Sequence, residues 1–400
     1  MSKVAFFYAT FPRPTETFVR RELRALEKIG FQPDLYSIWK GLEDWEGKSI
    51  YCFRLLKLWS LFFWIPYWAW KKPAVFREIL THLWEKPCPN LQNWNETFLG
   101  LGFALVEAHE FRKRKYSLLH GVWATMPATA AFALNKLIDV PFSMGAHAYD
   151  VFRTGGDWLL KLKFDQASFI RTSSLSTAKR IEDLGVPSSK VKLIRRGLSY
   201  WPNRKNFNLI NPNRIELLSV GRLVEKKGYN YQLEIAKRLK DKSVPFRLRI
   251  VGDGPLKKDL LKEINRMNLF HCVEFLGSLP QKKIRELYLN TDAFLFTGVV
   301  AKNGDRDGIP NVIPEAMSAG CLILSSCFAG ASEAFIEDVS GFSINPSDPS
   351  DWVHLLSGFS QNPSSFIQMR KSAVQHSKEA FNIKRTANSL SDAILNECRK

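Results

Sequence analysis

Cysteine is sparse in this 400-residue chain, and the six present (Cys52, Cys88, Cys272, Cys321, Cys327, Cys398) include no CxxC pair and no even framework. Zinc-finger spacing is therefore absent, and such unframed thiols are what a reducing cytosol tolerates. No apolar run reaches the ~20 residues that a bilayer-spanning helix needs. No cleavable signal is expected, because Val4–Ala9 reads at once as a strand. The sequon Asn95-Glu-Thr97 is discounted on the same ground. There is no short-period repeat and no ribonucleoprotein aromatic signature, so nucleic acid is not an expected partner.

Positive charge is plentiful. The net charge is +18, divided as 29 − 18 = +11 over residues 1–200 and 28 − 21 = +7 over residues 201–400. A basic surface attracts anionic lipid or anionic substrates. The clusters Arg20-Arg21, Lys71-Lys72, Arg112–Lys115 and Arg195-Arg196 are dispersed and form no single tract.

The length suggests two domains, each with its own core. Strand Val4–Ala9, helix Phe18–Ile29 (with Thr15 or Thr17 as cap) and strand Gln32–Ile38 open a doubly wound α/β sheet. Strands are predicted again at Ser117–Trp123, ending near His120, at Pro141–Ala146, running into His147, and at Ala167–Thr172. His147 thus follows a parallel strand at its carboxyl end, where open α/β sheets place ligand chemistry. The Pro- and Asn-rich stretch 201–214 is the expected linker. The pattern then restarts from strand Ile215–Val220 to strand Ala293–Phe296. The expected division is a first domain at 1–200, a linker at 201–214, a second domain at 215–378, and an amphipathic terminal segment at 379–400 returning to brace the first.

Leu58–Trp70 is about 13 apolar residues interrupted by Pro66 and flanked by Arg54, Lys57, Lys71 and Lys72. Tryptophan and tyrosine beside lysines suit an interfacial helix on a membrane surface. The same run suits a helix packed on the sheet, and the two readings stand side by side.

Asp307-Gly-Ile-Pro-Asn-Val-Ile-Pro-Glu315 is the most informative stretch. A buried strand runs into a polar loop, then Gly308 and a proline suited to a first helical position. The predicted helix runs to about Ala319 and stops at Gly320. Such a helix start binds phosphate, and Gly308 allows close backbone approach. Asp307 and Glu315 suit hydroxyl groups, so the pattern suggests a nucleotide-sugar. In the same half, Gly221-Arg222 ends a strand and Lys227 follows before Gly228. Arg222 offers a bidentate fork and Lys227 a point charge for one diphosphate.

Taken together, Phe11-Pro-x-x-Thr-Glu-Thr-Phe18, Gly145-Ala-His-Ala-x-Asp-Val-Phe152, Val220-Gly-Arg-Leu-x-x-Lys-Lys-Gly228, Val251-Gly-Asp-Gly-Pro255 and Asp305-Arg-Asp-Gly-Ile-Pro-Asn-Val-x-x-Glu-Ala-Met317 resemble the family-4 retaining glycosyltransferases. The resemblance covers nearly the whole chain and is to the bacterial exopolysaccharide and O-antigen branch. It implies the GT-B fold: two Rossmann-like doubly wound domains facing each other across a cleft. It implies that Arg222 and Lys227 stabilise the leaving diphosphate, that Asp307 contacts the donor sugar and that Glu315 contacts the ribose. Gly308, Ile309, Pro310 and Asn311 would offer backbone to sugar and phosphate beside Gly221, and the base would lie near Gly277. His147 would meet the sugar from the first domain, with Thr15, Glu16, Thr17 and His120 as acceptor-side candidates.

The sequence departs from the family at Asp307, where many relatives carry glutamate, at Pro314, and in the first loop, which lacks paired glycines. Pro314 costs a hydrogen bond unless it lies in the first turn, so the helix is expected to begin near Asn311. Asp305-Arg-Asp307 spells DxD, but late in the chain and beside a helix start, so no metal or other cofactor is expected. The expected activity is transfer from a UDP- or GDP-sugar to a saccharide or lipid-linked saccharide, in the cytoplasm at the inner membrane surface. A sugar-nucleotide epimerase of similar fold and a non-catalytic basic membrane-binding protein remain as alternatives.

Overall fold

The computed structural model describes residues 2–13, 16–328 and 330–399. Thr15 lies outside the described residues. The chain divides into two compact units, Met1–Arg195 with Ile383–Lys400, and Arg196–Asn382.

The first unit is built on a sheet of β1 (Val4–Phe11), β2 (Asp34–Gly41), β3 (Asp44–Trp45), β4 (Lys48–Cys52), β5 (Leu118–Gly121), β6 (Phe142–Gly145), β7 (Ile170–Thr172) and β8 (Val191–Leu193). Their order is β3-β4-β2-β1-β5-β6-β7-β8, parallel except for the β3/β4 hairpin. The apolar runs reflect burial on both faces, because successive side chains point opposite ways. Along β1, Val4, Phe6 and Tyr8 enter one core and Ala5 and Phe7 the other. The terminal helix Ile383–Cys398 places Ala387, Leu390 and Ile394 in the first of these cores, beside Leu23 and Leu26 of helix Thr17–Lys28. Thr386 Oγ1 donates to Arg195 O at 2.9 Å.

The second unit holds β9 (Ile215–Val220), β10 (Phe246–Val251), β11 (Val273–Gly277), β12 (Ala293–Phe296), β13 (Leu322–Ser326) and β14 (Phe342–Ile344), ordered β11-β10-β9-β12-β13-β14 and all parallel. Leu217 and Leu295 face one core, and Leu218 and Phe294 the other. The stretch 201–214 packs on this unit instead of hanging between two. Arg204 donates to Thr291 O and Ala319 O, and the buried Arg370 donates to Phe207 O at 2.7 Å. Ile210 N donates to Asp292 Oδ1 at 3.0 Å.

Leu58–Trp70 packs one side on the first unit's core and leaves the other exposed, so the core reading holds for the inward side. A short 3-10 turn Leu55–Ser60 leads into helix Leu61–Lys71, whose Trp68 is buried and donates its indole N–H to Leu105 O at 2.9 Å. The opposite side of the helix is exposed. Among the described residues no helix is long and apolar enough to cross a membrane.

Candidate active site

In a doubly wound sheet the crevice opens where neighbouring strands send the chain in opposite directions. In the second unit that point lies between β9 and β12, which pair directly. The loop after β9 carries Gly221, Arg222, Lys226 and Lys227, and the loop after β12 carries Asp305, Asp307 and Gly308.

The two loops are joined by charge. Lys227 Nζ lies 2.7 Å from Asp307 Oδ2. Lys226 Nζ lies 2.9 Å from Asp305 Oδ1 and 3.3 Å from Asp307 Oδ1. Asp307 is thus held between two ammonium groups. Burial pushes its carboxyl up, and the charges of Lys227 and Lys226 overrule that, leaving it below its ordinary value. Burial lowers the Lys227 ammonium; Asp307 opposes this, and the like charges of Lys226 and Arg222 add to it. The Arg222 side chain is exposed and its guanidinium makes no hydrogen bond or ion pair with the described residues. It is the one expected diphosphate ligand whose charge is uncommitted.

Local geometry explains the lysine positions. Gly228 has φ +65°, and a Cβ there would sit 1.9 Å from Thr297 O. Only glycine admits this turn, and Thr297 Oγ1 closes it by donating to Gly228 O at 2.9 Å. Tyr229 then donates its hydroxyl to Gly221 O at 2.9 Å. The aliphatic end of Lys227 lies close by, its Cε 3.5 Å from where a Gly221 Cβ would be, and its ammonium stands 5.0 Å over the Phe296 ring.

The helix after the loop runs Val312–Ser318 with Asn311 at the N-cap position. Pro310 is therefore outside the helix, which corrects the reading of it as a first helical residue. Pro314 falls in the first turn, where its missing N–H costs no hydrogen bond. Gly308 is buried against Gly330, whose added Cβ would meet Gly308 C at 2.8 Å. Ile309 packs on the core formed by Ile313 and Met317. Glu315 lies against Tyr288, whose hydroxyl is pushed well above its ordinary range by burial and then by the Glu315 charge. Gly277 ends β11, two strands from β9, and accepts from Gly252 N at 2.8 Å.

In the first unit the switch point lies between β1 and β5. His147 follows β6, one strand beyond, and its backbone N–H donates to Asp150 at 3.1 Å. Asp150 is buried and also accepts from Ala148 N at 2.8 Å and Ala124 N at 3.2 Å, so one carboxylate ties the loops after β5 and β6 together. Gly145 gives the His147 ring room, since a Cβ there would lie 2.8 Å from its Nε2. The ring stands edge-on to Trp123, 5.3 Å between centroids, and Trp123 meets Phe18 at 6.1 Å. This chain of rings brings the start of helix Thr17–Lys28 to His147.

One helix-cap expectation and one acceptor-side expectation are corrected. Thr17 is the first helical residue and does not cap; Glu16 holds the cap position without a side-chain cap bond. His120 is buried, its Nδ1 2.8 Å from Ser143 Oγ and its ring against Phe6 and Phe169. Burial and the Arg171 charge lower it to about 3, so it is a neutral core residue. Two contributors went unnoticed in the sequence: Lys226, whose signal was the adjacent lysine pair, and Asp150, whose signal was its place three residues after His147.

Among the described residues no three His, Cys, Asp or Glu side chains converge as metal ligands. The Asp305 and Asp307 carboxylates of the DxD face lysine ammonium groups.

Residues 202–380 match the family Glycosyl transferases group 1, the segment containing the β9/β12 crevice. These residues form a glycosyl transferases group 1 domain. Over most of its length, the chain is 26% identical over 379 residues to the putative colanic acid biosynthesis glycosyltransferase WcaL of Escherichia coli, covering 90% of this chain and 91% of that protein. It is 30% identical over 201 residues to the amylovoran biosynthesis glycosyltransferase AmsK of Erwinia amylovora, spanning 50% of this chain and 49% of that one. Sucrose-phosphate synthase from Thermosynechococcus elongatus superposes with a TM-score of 0.75 at 14% identity, covering 99% of each chain. Anabaena HepE in complex with UDP superposes at 0.70, also at 14% identity, over 98% of this chain and all of that one (100%). The fold that accompanies the group 1 domain is GT-B, with two parallel-sheet α/β domains.

Proposed function

We propose that the protein transfers a sugar from a nucleoside-diphosphate sugar to a hydroxyl of a saccharide or lipid-linked saccharide in exopolysaccharide assembly, with retention of anomeric configuration. The observation that carries this is Arg222 and Lys227 gathered with Asp307 at the β9/β12 switch point, inside the group 1 domain. The likeness to WcaL and AmsK supports the pathway class, and the complexes of HepE with UDP and UDP-glucose support a uridine donor among the candidates.

In this reading Arg222 and Lys227 receive the diphosphate as its charge grows, an electrostatic contribution. Asp307 then turns from Lys227 to the donor sugar's hydroxyls, and Glu315 to the ribose. Gly308, Ile309, Pro310 and Asn311 supply backbone beside Gly221, and Gly277 borders the base. The acceptor oxygen attacks the anomeric carbon as the bond from that carbon to the phosphate oxygen breaks. The released phosphate oxygen takes the acceptor proton, giving a glycoside and a nucleoside diphosphate. His147 and Glu16 are proposed to meet substrate hydroxyls on the first unit. Thr15 keeps the acceptor-side role the family resemblance implies. No metal is required in this scheme, because cationic side chains meet the phosphates. A lipid-linked acceptor puts the enzyme at the inner face of the cytoplasmic membrane.

The test is turnover with a panel of UDP- and GDP-sugars, with the anomeric configuration of the product read by NMR coupling constants. An inverted product discards retention. Interconversion of donor sugars without an acceptor favours an epimerase.

A further inference from the structure

Helix Leu61–Lys71 is apolar on two opposite faces. Leu61, Trp64 and Trp68 pack on the first unit's core. On the other side, Phe62, Phe63, Pro66 and Trp70 recur at intervals of 1, 4 and 8 residues from Phe62, which is one helical stripe, with Trp59 exposed in the 3-10 turn just before it. That stripe is open to solvent: Trp59 is 83% exposed, Phe62 93% and Trp70 82%. A helix apolar all round is normally buried. The next helix, Pro73–Glu85, repeats the arrangement. Phe76 and Ile79 pack inward, while Arg77, Leu80 and Trp84 point out, Trp84 being 93% exposed. Clustered exposed aromatics on this scale mark an interaction surface.

The charge around the stripes identifies the partner. Residues 54–86 contain six Lys or Arg and two Glu, a balance of 6 − 2 = +4. Lys57 pairs with Glu107, Lys72 with Asp139, and Glu78 with Lys136. Arg54, Lys71, Arg77 and Lys86 have no acidic partner among the described residues. Protein–protein interfaces deplete lysine, whereas tryptophan with flanking basic residues is the composition of a membrane–water interface. We infer that the stripes of these two helices dock the enzyme on the headgroup layer of an anionic bilayer, with Trp59, Phe62, Trp70 and Trp84 entering the interface and Arg54, Lys71, Arg77 and Lys86 meeting lipid phosphates. The surface thus extends beyond Leu58–Trp70 into the following helix. Its purpose, delivery to a lipid-linked acceptor, rests on the proposed function; the docking itself does not.

The experiment floats the full chain with vesicles of phosphatidylcholine alone and of phosphatidylcholine with phosphatidylglycerol. Wild type is expected to float with the anionic vesicles, more weakly as salt is raised. The variant Trp59→Ser/Phe62→Ser/Trp70→Ser and the separate variant Trp84→Ser are expected to lose partitioning, the triple variant by about tenfold or more. Sedimentation velocity and UDP or GDP calorimetry on each variant should match wild type. Wild type that ignores anionic vesicles, or a triple variant that floats as well as wild type, overturns the proposal. So does a wild-type dimer that the triple variant converts to monomer while vesicle binding stays unchanged, which would make the face a contact between copies. Failed flotation with nucleotide binding intact removes the docking alone. Flotation with no binding of any donor nucleotide removes the glycosyltransferase reading alone.

Discussion

Lys227 and Asp307, 80 residues apart in sequence, meet at 2.7 Å and join the loop after β9 to the loop after β12. A diphosphate and a donor sugar would each compete for one half of this pair. In the proposed reaction the contact would hold the two loops together until the donor replaced it.

Arg222→Ala and Lys227→Ala are each expected to lower turnover by about 10²-fold, the scale of losing one charge-stabilising donor. Loss at Lys227 leaves Asp307 with Lys226 alone. Full activity in the double variant, measured under saturating donor, would remove both from the reaction.

Wild-type turnover is expected to fall at alkaline pH earlier than an ordinary lysine would dictate. Burial lowers the Lys227 ammonium below its usual 10.5, so the charge offered to the diphosphate is lost as pH rises through the lowered value. A pH–rate profile of kcat checks this, and Lys227→Arg should carry the alkaline limb to higher pH.

Lys226 acts on Asp307 through position and charge. Lys226→Met removes one of the two ammonium groups holding the Asp307 carboxyl down, so the acid limb of kcat/KM should move to higher pH. Lys226→Arg should restore it. An unchanged pH profile in Lys226→Met, with stability alone reduced, would leave Lys226 a purely structural cation.

Gly228→Ala is expected to destabilise the second unit by more than ~1 kcal/mol, since the turn needs a positive φ and the added Cβ collides with Thr297 O. Urea denaturation reads the change. A midpoint equal to wild type would mean that the β9 and β12 loops separate freely.

His120 should make the fold acid-sensitive. Its folded-state value is lowered to about 3, so as pH falls below 6.5 the unfolded chain takes up a proton that the folded chain refuses. The stability is complete above 6.5 and is lost between there and about 3, with a slope of at most ~1.4 kcal/mol per pH unit. His120→Phe should flatten that part of the urea-midpoint curve, and an equal slope in both proteins would reassign the sensitivity elsewhere.

Much of this was legible in the residue order because it is local. Two-residue alternation between opposite cores follows from strand geometry, so runs such as Val4-Ala-Phe-Phe and Ile215-Glu-Leu-Leu declare buried parallel strands by themselves. Gly228 after Lys227 and the late Asp-Gly-Ile-Pro loop likewise announce their turns. What needed the folded chain was every relationship set by strand order. Only the adjacency of β9 and β12 brings Lys226 and Lys227 to Asp305 and Asp307, and nothing in 80 residues of spacing specifies that meeting. His120 and His147 look alike in sequence, each near the end of a predicted strand. Both are buried, but the sheet packs one beside Ser143 and Phe6 within a strand and sets the other in a loop tied by Asp150. Tryptophans 59, 68 and 70 share one apolar run, and only packing against Leu105 decided which turned inward, because helical rotation, not composition, assigns a side chain to core or to solvent.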